Sequence, residues 1–188
     1  FDLLEKLLRD WEAAGQTRYR IWSAAASTGE EAYSIAMIMK ESLRDTRDAR
    51  ILATDLSTRV LKTARAGEYE PPRVADVPRP YAAKYLRRRQ EKDDVRYAVA
   101  DAIRAMITFA RLNLSKPPFP MKGPFDVVFC RNVMIYFDNE VRRRLLRELY
   151  RLVKPGGYLM VGHAESLSGM ISSFRCLEPS VFMRPRDE

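Results

Sequence analysis

The sequence predicts an α/β fold, in which a mostly parallel β-sheet carries helices on both faces. Short apolar runs that are typical of buried strands alternate with helical segments along most of the chain. A run of small residues also lies between the first predicted strand and the next helix, where open α/β sheets bind ligands. The 188 residues suffice for one domain with a sizeable core. We therefore assign residues 1–188 to a single α/β domain.

The first third of the chain alternates between helices and strands. Leucines at helical spacing predict an opening helix, and glycines are placed to end two of the helices. The predicted elements are a helix up to Gly15, a strand at 19–24, a buried helix at 32–43, a strand at 50–55 and a helix from Ser57, as N-cap, to Gly67.

The stretch at 22–34, WSAAASTGEEAYS, joins the first strand to its helix. Its small residues would let a ligand approach the backbone, and a helix N-terminus offers unpaired N–H groups. Asp55 ends the second strand, 26 residues past Gly29. In dinucleotide sites, an acidic residue about 20 residues past the glycines binds the ribose hydroxyls. The alternatives are a tight turn without a ligand and, for Asp55, a helix N-cap.

Residues 69–105 break the alternation of strand and helix. Four prolines interrupt the first part, residues 81–89 predict a short helix, and residues 95–99 alternate like an edge strand. We interpret 69–105 as an inserted small antiparallel subdomain. The three arginines at 87–89 are either a contact surface or a solvated helix end.

The C-terminal half supplies the remaining strands of the sheet. Cys130 is interpreted as a small buried hydrophobe at the end of one of them, and Arg131 and Asn132 follow it directly. His163, which follows a later strand, is interpreted as a satisfied polar residue and not as a base. The predicted elements are strands at 106–114, 125–130 and 158–161, a helix at 139–153 with arginines on its outer face, a turn at 154–157, and an antiparallel pair at 174–177 and 181–184.

Composition limits the possible classes of protein. The net charge of +8 indicates an acidic partner, whether nucleic acid, anionic surface or protein, or only a solvated basic surface. No nucleic-acid-binding motif, membrane-length apolar run or signal peptide is present in the sequence. Two cysteines and one histidine make neither a disulfide framework nor a metal site, so we expect no metal and a cytoplasmic protein.

Three stretches together resemble the CheR family of bacterial chemotaxis receptor glutamate methyltransferases. They are the stretch at 22–34, which is similar to the family's cofactor loop, FDVVFCRNVMIYF at 125–137 and LVKPGGYLMVGHAES at 152–166. The resemblance runs from about Tyr19 to the end of the chain. It implies a Rossmann-like, class I S-adenosylmethionine-dependent methyltransferase fold. It also implies methyl transfer to glutamates on the cytoplasmic helices of methyl-accepting chemoreceptors, with S-adenosylhomocysteine as product.

The resemblance further implies roles for individual residues. Either Glu31 or its neighbour Glu30 would contact the cofactor, Arg131 would position the substrate carboxylate, and Tyr136 would lie near the methyl group. From the residues alone, the alternative interpretations are that Arg131 forms a surface ion pair and that Tyr136 is a core-edge aromatic. The full set implied is Arg131 and Tyr136 for catalysis, and Ala24, Glu30, Glu31, Asp55, Asn113, Leu114, Arg131 and Asn132 for the cofactor.

The chain departs from the family pattern in three places. Ala32 stands where many members have proline, and the hairpin at 87–99 lacks the glycine that accompanies docking of a receptor tail peptide. The family's N-terminal helical domain, which carries a polar segment ending in Phe-Phe-Arg, is absent from this sequence. We therefore expect a catalytic-domain fragment, and the sequence leaves open whether a receptor tail peptide docks on its inserted subdomain.

The predicted chemistry needs no general base. A glutamate side chain, with a pKa near 4.3, is already ionised at neutral pH. Alignment is what the site must supply, and it can lower a barrier by roughly 7–11 kcal/mol. Competing hypotheses are a methyltransferase for another substrate, a cofactor-binding module without turnover and a nucleic-acid binder. We expect a monomer without nucleic-acid or membrane partners.

Overall fold

The computed structural model describes residues 1–92, 94–162 and 173–186. The helices are α1 (Asp2–Ala13), α2 (Glu30–Ser42), α3 (Thr58–Ala66), α4 (Pro71–Val74), α5 (Arg79–Tyr85), α6 (Asp101–Arg104) and α7 (Asn139–Leu152), with a 3-10 helix at Met134–Tyr136. The strands are β1 (Tyr19–Ser23), β2 (Ala49–Asp55), β3 (Glu68–Tyr69), β4 (Leu86–Glu91), β5 (Asp94–Val99), β6 (Ile107–Arg111), β7 (Phe125–Cys130), β8 (Val153–Val161), β9 (Arg175–Glu178) and β10 (Val181–Met183).

The main sheet has seven strands in the order β6-β2-β1-β7-β8-β10-β9. The first five are parallel, whereas β10 runs antiparallel to both β8 and β9. The predicted fold class, a mostly parallel sheet with an antiparallel C-terminal edge, is therefore confirmed. The strand order reverses between β1 and β7, and the carboxyl ends of these two strands form the crevice where such sheets bind ligands.

Alternate residues of the central strands contribute to two apolar clusters, one on each face of the sheet. On one face, Ile21 and Val127 pack with residues of α1, α2 and the inserted segment. On the other face, Trp22 and Val128 pack with the leucines of α7. Cys130 is fully buried in the second cluster, as predicted. The helices thus cover both faces and leave the strand ends to form the site.

The inserted segment forms a separate three-stranded antiparallel sheet in the order β3-β5-β4. Two local predictions were wrong here. The helix predicted for 81–89 ends at Tyr85, so the three arginines at 87–89 lie on β4. The segment at 95–99 belongs to the central strand β5, which pairs on both sides, and not to an edge strand. Alternation of apolar and polar residues indicates that one face of a strand is buried, but it does not indicate how many strands pair with it.

The turn predicted at 154–157 is instead part of β8. The pairing of β7 with β8 shifts from Phe125 opposite Val153 to Val127 opposite Tyr158, so the extra residues form a bulge. Gly156 adopts a φ of +76° in this bulge, and its N–H donates to the Arg184 carbonyl at 2.8 Å. The predicted role of His163 falls outside the described residues. Within those residues, no helix is long and apolar enough to cross a membrane.

Candidate functional site

The loop between β1 and α2 is tied to the neighbouring strands through its backbone. The Ala24 N–H donates to the Phe129 carbonyl of β7 at 2.7 Å, and the Ala26 N–H donates to the Thr54 carbonyl of β2 at 2.9 Å. Gly29 adopts a φ of +99°, and a Cβ there would lie 2.9 Å from the Cβ of Ala64. Glycine is therefore required at position 29 by its positive φ and by the close approach of the loop to α3.

Thr54, a buried residue of β2 that the sequence analysis did not identify, also holds the loop in place. The Thr54 hydroxyl accepts the indole N–H of Trp22 at 3.0 Å and donates to the Ala24 carbonyl at 3.0 Å. A threonine directly before the acidic end of an apolar strand is the only signal in the sequence for this role. The hydrogen bonds fix the first residue of the loop relative to β2.

Asp55 lies at the carboxyl end of β2 and links the loop to the start of α3. Its Oδ2 accepts the Ser27 N–H at 3.0 Å, and its Oδ1 accepts the Ser57 N–H at 2.9 Å. Ser57 itself is the N-cap of α3, because its hydroxyl accepts the Val60 N–H. Each carboxylate oxygen retains acceptor capacity beyond these bonds. The N-cap of α3 is therefore Ser57 and not Asp55. The Asp55 carboxylate orders the turn after β2 and binds the loop backbone, and its binding to ribose hydroxyls stays a prediction.

Glu31 lies between the ends of β1 and β7. Its Oε1 accepts the Ser23 hydroxyl at 2.8 Å, and its Oε2 lies 3.4 Å from Nη1 of Arg131. Burial raises the pKa of Glu31, and the Ser23 hydrogen bond and the Arg131 charge only partly oppose this rise. This is a largely buried carboxylate with one short hydrogen bond and one longer contact to a cation, which suits it to a further cationic partner.

Glu30 faces away from this group, toward the inserted segment. Its carboxylate accepts the Thr28 hydroxyl at 2.7 and 2.9 Å and pairs with Arg73 of α4 at 2.6 Å. Of the two adjacent glutamates, the structure therefore brings only Glu31 to the carboxyl ends of β1 and β7.

The other predicted residues take different positions at the same edge. Asn113 uses its Oδ1 locally, because it accepts both the N–H and the hydroxyl of Ser115. Leu114 is buried. Asn132 turns the chain after β7 with a φ of +57°, a conformation that asparagine tolerates better than most residues. Asn113 and Leu114 follow β6, and Asn132 follows β7, so all three come after the carboxyl ends of parallel strands.

Exposed large side chains follow the ends of β2 and β7, among them Leu56 and Tyr136. Tyr136, in the 3-10 helix, is 78% exposed, so it is not the core-edge aromatic that was its alternative interpretation. Leu56, which the sequence analysis did not single out, is 51% exposed directly after Asp55. An apolar side chain held in solvent beside a carboxylate is a suitable surface for a purine ring. Among the described residues, no cluster of acidic, cysteine or histidine side chains could hold a metal ion.

Comparison with known protein families identifies the chain. Residues 1–183 match the family described as CheR methyltransferase, SAM binding domain. The chain belongs to the CheR family. The loop, Asp55 and Glu31 therefore lie in a domain that this family's description associates with S-adenosylmethionine binding.

Curated CheR relatives cover most of the chain. The chemotaxis protein methyltransferase of Borreliella burgdorferi is 40% identical over 89% of this chain and 58% of its own length. The chemotaxis protein methyltransferase of Escherichia coli is 36% identical over 96% of this chain and 64% of its own length. The chain therefore spans about three fifths of the length of these CheR relatives.

A solved structure supports the fold assignment for this CheR domain. The crystal structure of DszA carbon methyltransferase aligns with a TM-score of 0.52 over 85% of this chain and 35% of that chain. At 18% identity, this similarity concerns the fold alone. It agrees with a Rossmann-like methyltransferase architecture.

Proposed function

We propose that this chain binds S-adenosylmethionine in the crevice between β1 and β7 and directs its methyl group to glutamate side chains of methyl-accepting chemoreceptors. One observation carries the proposal: in a CheR-family chain, two carboxylates, Asp55 and Glu31, flank a loop of small residues at the point where the strand order reverses. S-adenosylmethionine presents ribose hydroxyls and an ammonium group, which are the donors that two such carboxylates accept.

The residues at the sheet edge suit the parts of this cofactor. Asp55 accepts the ribose hydroxyls with the acceptor capacity that its two backbone bonds leave over. Glu31 pairs with the ammonium group, which relieves the cost of its burial. Ala24 lets the ligand approach the backbone, and Leu56 and Leu114 provide apolar contacts for the adenine. The side-chain oxygen of Asn113 is engaged locally, so this position contacts adenine chiefly through its backbone.

The protein's task in the transfer is alignment. S-adenosylmethionine supplies a methyl group on a sulfonium, and the transfer forms an O–CH3 bond, breaks the S–CH3 bond and leaves a neutral thioether. The substrate glutamate is already ionised at neutral pH, so no residue has to remove a proton. Arg131 lies 3.4 Å from Glu31 and is partly exposed, which leaves guanidinium N–H groups to orient the substrate carboxylate. Moderate pairing by Arg131 positions the nucleophile without overstabilising the ground state.

The remaining site and partner assignments belong to the same proposal. Asn132, directly after β7, would contact the cofactor, and Tyr136, which is exposed in the 3-10 helix that follows, would meet the substrate. The net charge of +8 favours encounter with acidic receptor helices. The protein acts as a cytoplasmic monomer on the cytoplasmic parts of its receptors.

Calorimetric binding of S-adenosylhomocysteine tests the site. We expect the chain to bind, and Asp55→Ala to weaken binding by at least about 100-fold, because two charge-assisted hydrogen bonds of about 1.5–3 kcal/mol each are lost. The matched control is Asp45→Ala, since Asp45 is exposed and pairs only with Arg47 in a surface connection. Equal binding by the Asp55 variant and the control would contradict the assigned site.

Methylation of receptor cytoplasmic fragments, read out as base-labile methyl ester, then tests the substrate. Release of methanol by base from the receptor, dependent on S-adenosylmethionine, is the expected result. Methyl transfer to a small molecule and not to the receptor would contradict the receptor as the substrate. Cofactor binding without any transfer by the longer protein would favour a cofactor-binding module.

A further inference from the structure

The C-terminal half of the cofactor loop is held from outside the main sheet. The Tyr69 hydroxyl of β3 donates to the Thr28 carbonyl at 2.7 Å, and Tyr69 is only 4% exposed. The same hydroxyl lies 3.1 Å from where a Cβ would stand on Gly29. Burial raises the pKa of Tyr69, so the phenol remains a hydrogen-bond donor across the physiological range. One side chain of the inserted segment thus fixes both the carbonyl of residue 28 and the space around residue 29.

Arg73 of α4 makes a second contact with the same part of the loop. Its Nη1 pairs with Oε1 of Glu30 at 2.6 Å and lies 3.4 Å from the Thr28 hydroxyl. The Thr28 hydroxyl also donates to the Glu30 carboxylate. Thr28, Glu30 and Arg73 therefore form one polar cluster between the loop and the inserted segment.

External support matters in the second half of the loop, because Ala24 and Ala26 are buried in the two apolar clusters whereas the loop residues after Ser27 are not part of them. The main sheet holds Ala24 and Ala26 through backbone hydrogen bonds, and Asp55 holds the N–H of Ser27. Beyond Ser27, Tyr69 and Arg73 of the inserted segment provide side-chain hydrogen bonds to the loop. A weak support at this point would let the start of α2, and with it Glu31, move relative to the strand ends.

Tyr69 is itself firmly placed by the inserted sheet. It pairs with Tyr97 of β5, and its ring packs edge-on against Tyr33 of α2 with 6.1 Å between centroids. The small sheet therefore positions the loop directly, through the buried ring of Tyr69 and its hydrogen bond to the Thr28 carbonyl.

We infer that Tyr69 and Arg73 are positioning residues for the cofactor site: the inserted segment sets the conformation of residues 28–30 and thereby the affinity for the cofactor. This inference rests on the proposed function, because it assumes that the loop binds S-adenosylmethionine. It assigns to the inserted segment a role in cofactor binding that is separate from any contact with a protein substrate.

The test compares Tyr69→Phe and Arg73→Gln with the control Arg89→Gln. Arg89 lies in the same small sheet and pairs with Glu68, away from the loop. Tyr69→Phe keeps the ring and removes one hydrogen bond, which is worth about 0.5–1.5 kcal/mol. We expect about a 3- to 10-fold weaker affinity for S-adenosylhomocysteine, a higher KM for S-adenosylmethionine with little change in kcat, and an unchanged affinity in the control.

Hydrogen exchange provides a readout that needs no ligand. The Gly29 N–H donates to the Ala26 carbonyl, and the Tyr33 N–H donates to the Gly29 carbonyl. We expect both amides to exchange faster in Tyr69→Phe and in Arg73→Gln, while amides of β7 keep their protection. Arg73→Lys should restore part of the protection, because it keeps a cation beside Glu30.

The outcomes separate this inference from the proposed function. If the unchanged chain binds S-adenosylhomocysteine and both variants bind equally well, the positioning role is overturned and the proposed function stands. If exchange at Gly29 is the same in all variants, the positioning role is likewise overturned. If Asp55→Ala leaves binding intact, the proposed site fails and the inference fails with it.

Discussion

The two ends of the central parallel strands each hold a carboxylate beside a cation, but the two pairs differ. At the amino end of β7, Asp126 pairs with Lys154. Its oxygens also accept the side-chain amide of Gln16 at 2.9 Å and the backbone N–H of Arg20 at 2.6 Å. At the carboxyl end, Glu31 has the Ser23 hydroxyl at 2.8 Å and Arg131 at 3.4 Å.

The difference is the one expected between a carboxylate that stabilises the fold and one that binds a ligand. Asp126 is 5% exposed and has a close donor on each oxygen, so its charge is compensated within the fold. Glu31 is also largely buried, yet its contact with Arg131 is longer, at 3.4 Å, and burial raises the pKa of Glu31. A carboxylate that the fold leaves incompletely compensated is expected to gain from a cationic ligand, whereas a fully compensated one is expected to hold strands together.

The largest expected effect is the loss of stability in Asp126→Asn. The substitution leaves Lys154 beside an uncharged group and removes a charged acceptor, so we expect the free energy of unfolding to fall by about 3 kcal/mol. Urea denaturation measures this. The matched control is Asp48→Asn, because Asp48 pairs with Arg20 on the surface, where such pairs contribute about 0–1 kcal/mol. Similar losses in both variants would remove the distinction between the two strand ends.

Glu31→Gln is expected to weaken cofactor binding without lowering stability, in contrast to Asp126→Asn. Cofactor affinity should fall by about 10- to 100-fold, since a hydrogen bond between charged groups contributes about 1.5–3 kcal/mol. Stability should not fall at neutral pH, because the variant no longer buries a charge. Calorimetry with S-adenosylhomocysteine and thermal unfolding of the same samples give the two quantities. Glu140→Gln, on the exposed first turn of α7, is the control. A variant that unfolds more easily but binds normally would assign Glu31 to the structure instead.

The pH dependence of Glu31→Gln sharpens the same comparison. The folded-state pKa of Glu31 is raised above its ordinary value. Its contribution to stability is therefore fully present below the unfolded-state pKa and is lost as pH rises through the folded-state pKa. Relative to the wild type, the variant should gain stability as pH increases from about 4 to 8. Melting temperatures measured across that range check the sign, and a constant difference between the two proteins would contradict it.

The smallest effect on folding is expected for Tyr136→Phe. Because Tyr136 is 78% exposed, stability should change by less than about 0.5 kcal/mol. Affinity for S-adenosylhomocysteine should also stay the same, whereas methyl transfer to receptor fragments should fall by about 5-fold through the loss of one hydrogen bond. Steady-state kinetics with the receptor fragment measure this. Unchanged turnover would remove Tyr136 from the substrate side of the site.

Local patterns in the sequence were sufficient for the main sheet and wrong for parts of its periphery. Apolar runs at 50–55 and 125–130 correspond to β2 and β7 because strands buried on both faces must be apolar throughout. The segments at 81–89 and 154–157 were misassigned because strand pairing decides whether they continue as strands. In segment 81–89, the pairing of β4 outweighs the helix propensity of the residues. In segment 154–157, the pairing of β8 outweighs the preference of the glycines for a turn.

The features of the site also fall into two groups: those that the sequence could predict and those that depend on tertiary structure. The sequence by itself determined the fold class, the small-residue loop, the acidic residue at the end of β2 and the family resemblance, since these depend on residue type and order along the chain. Only the tertiary structure decided that Glu31 faces the crevice while Glu30 faces Arg73, and that Tyr69 supports the loop. Those contacts join residues that are distant in sequence, and their partners are fixed by packing of the inserted sheet against α2, which local patterns do not encode.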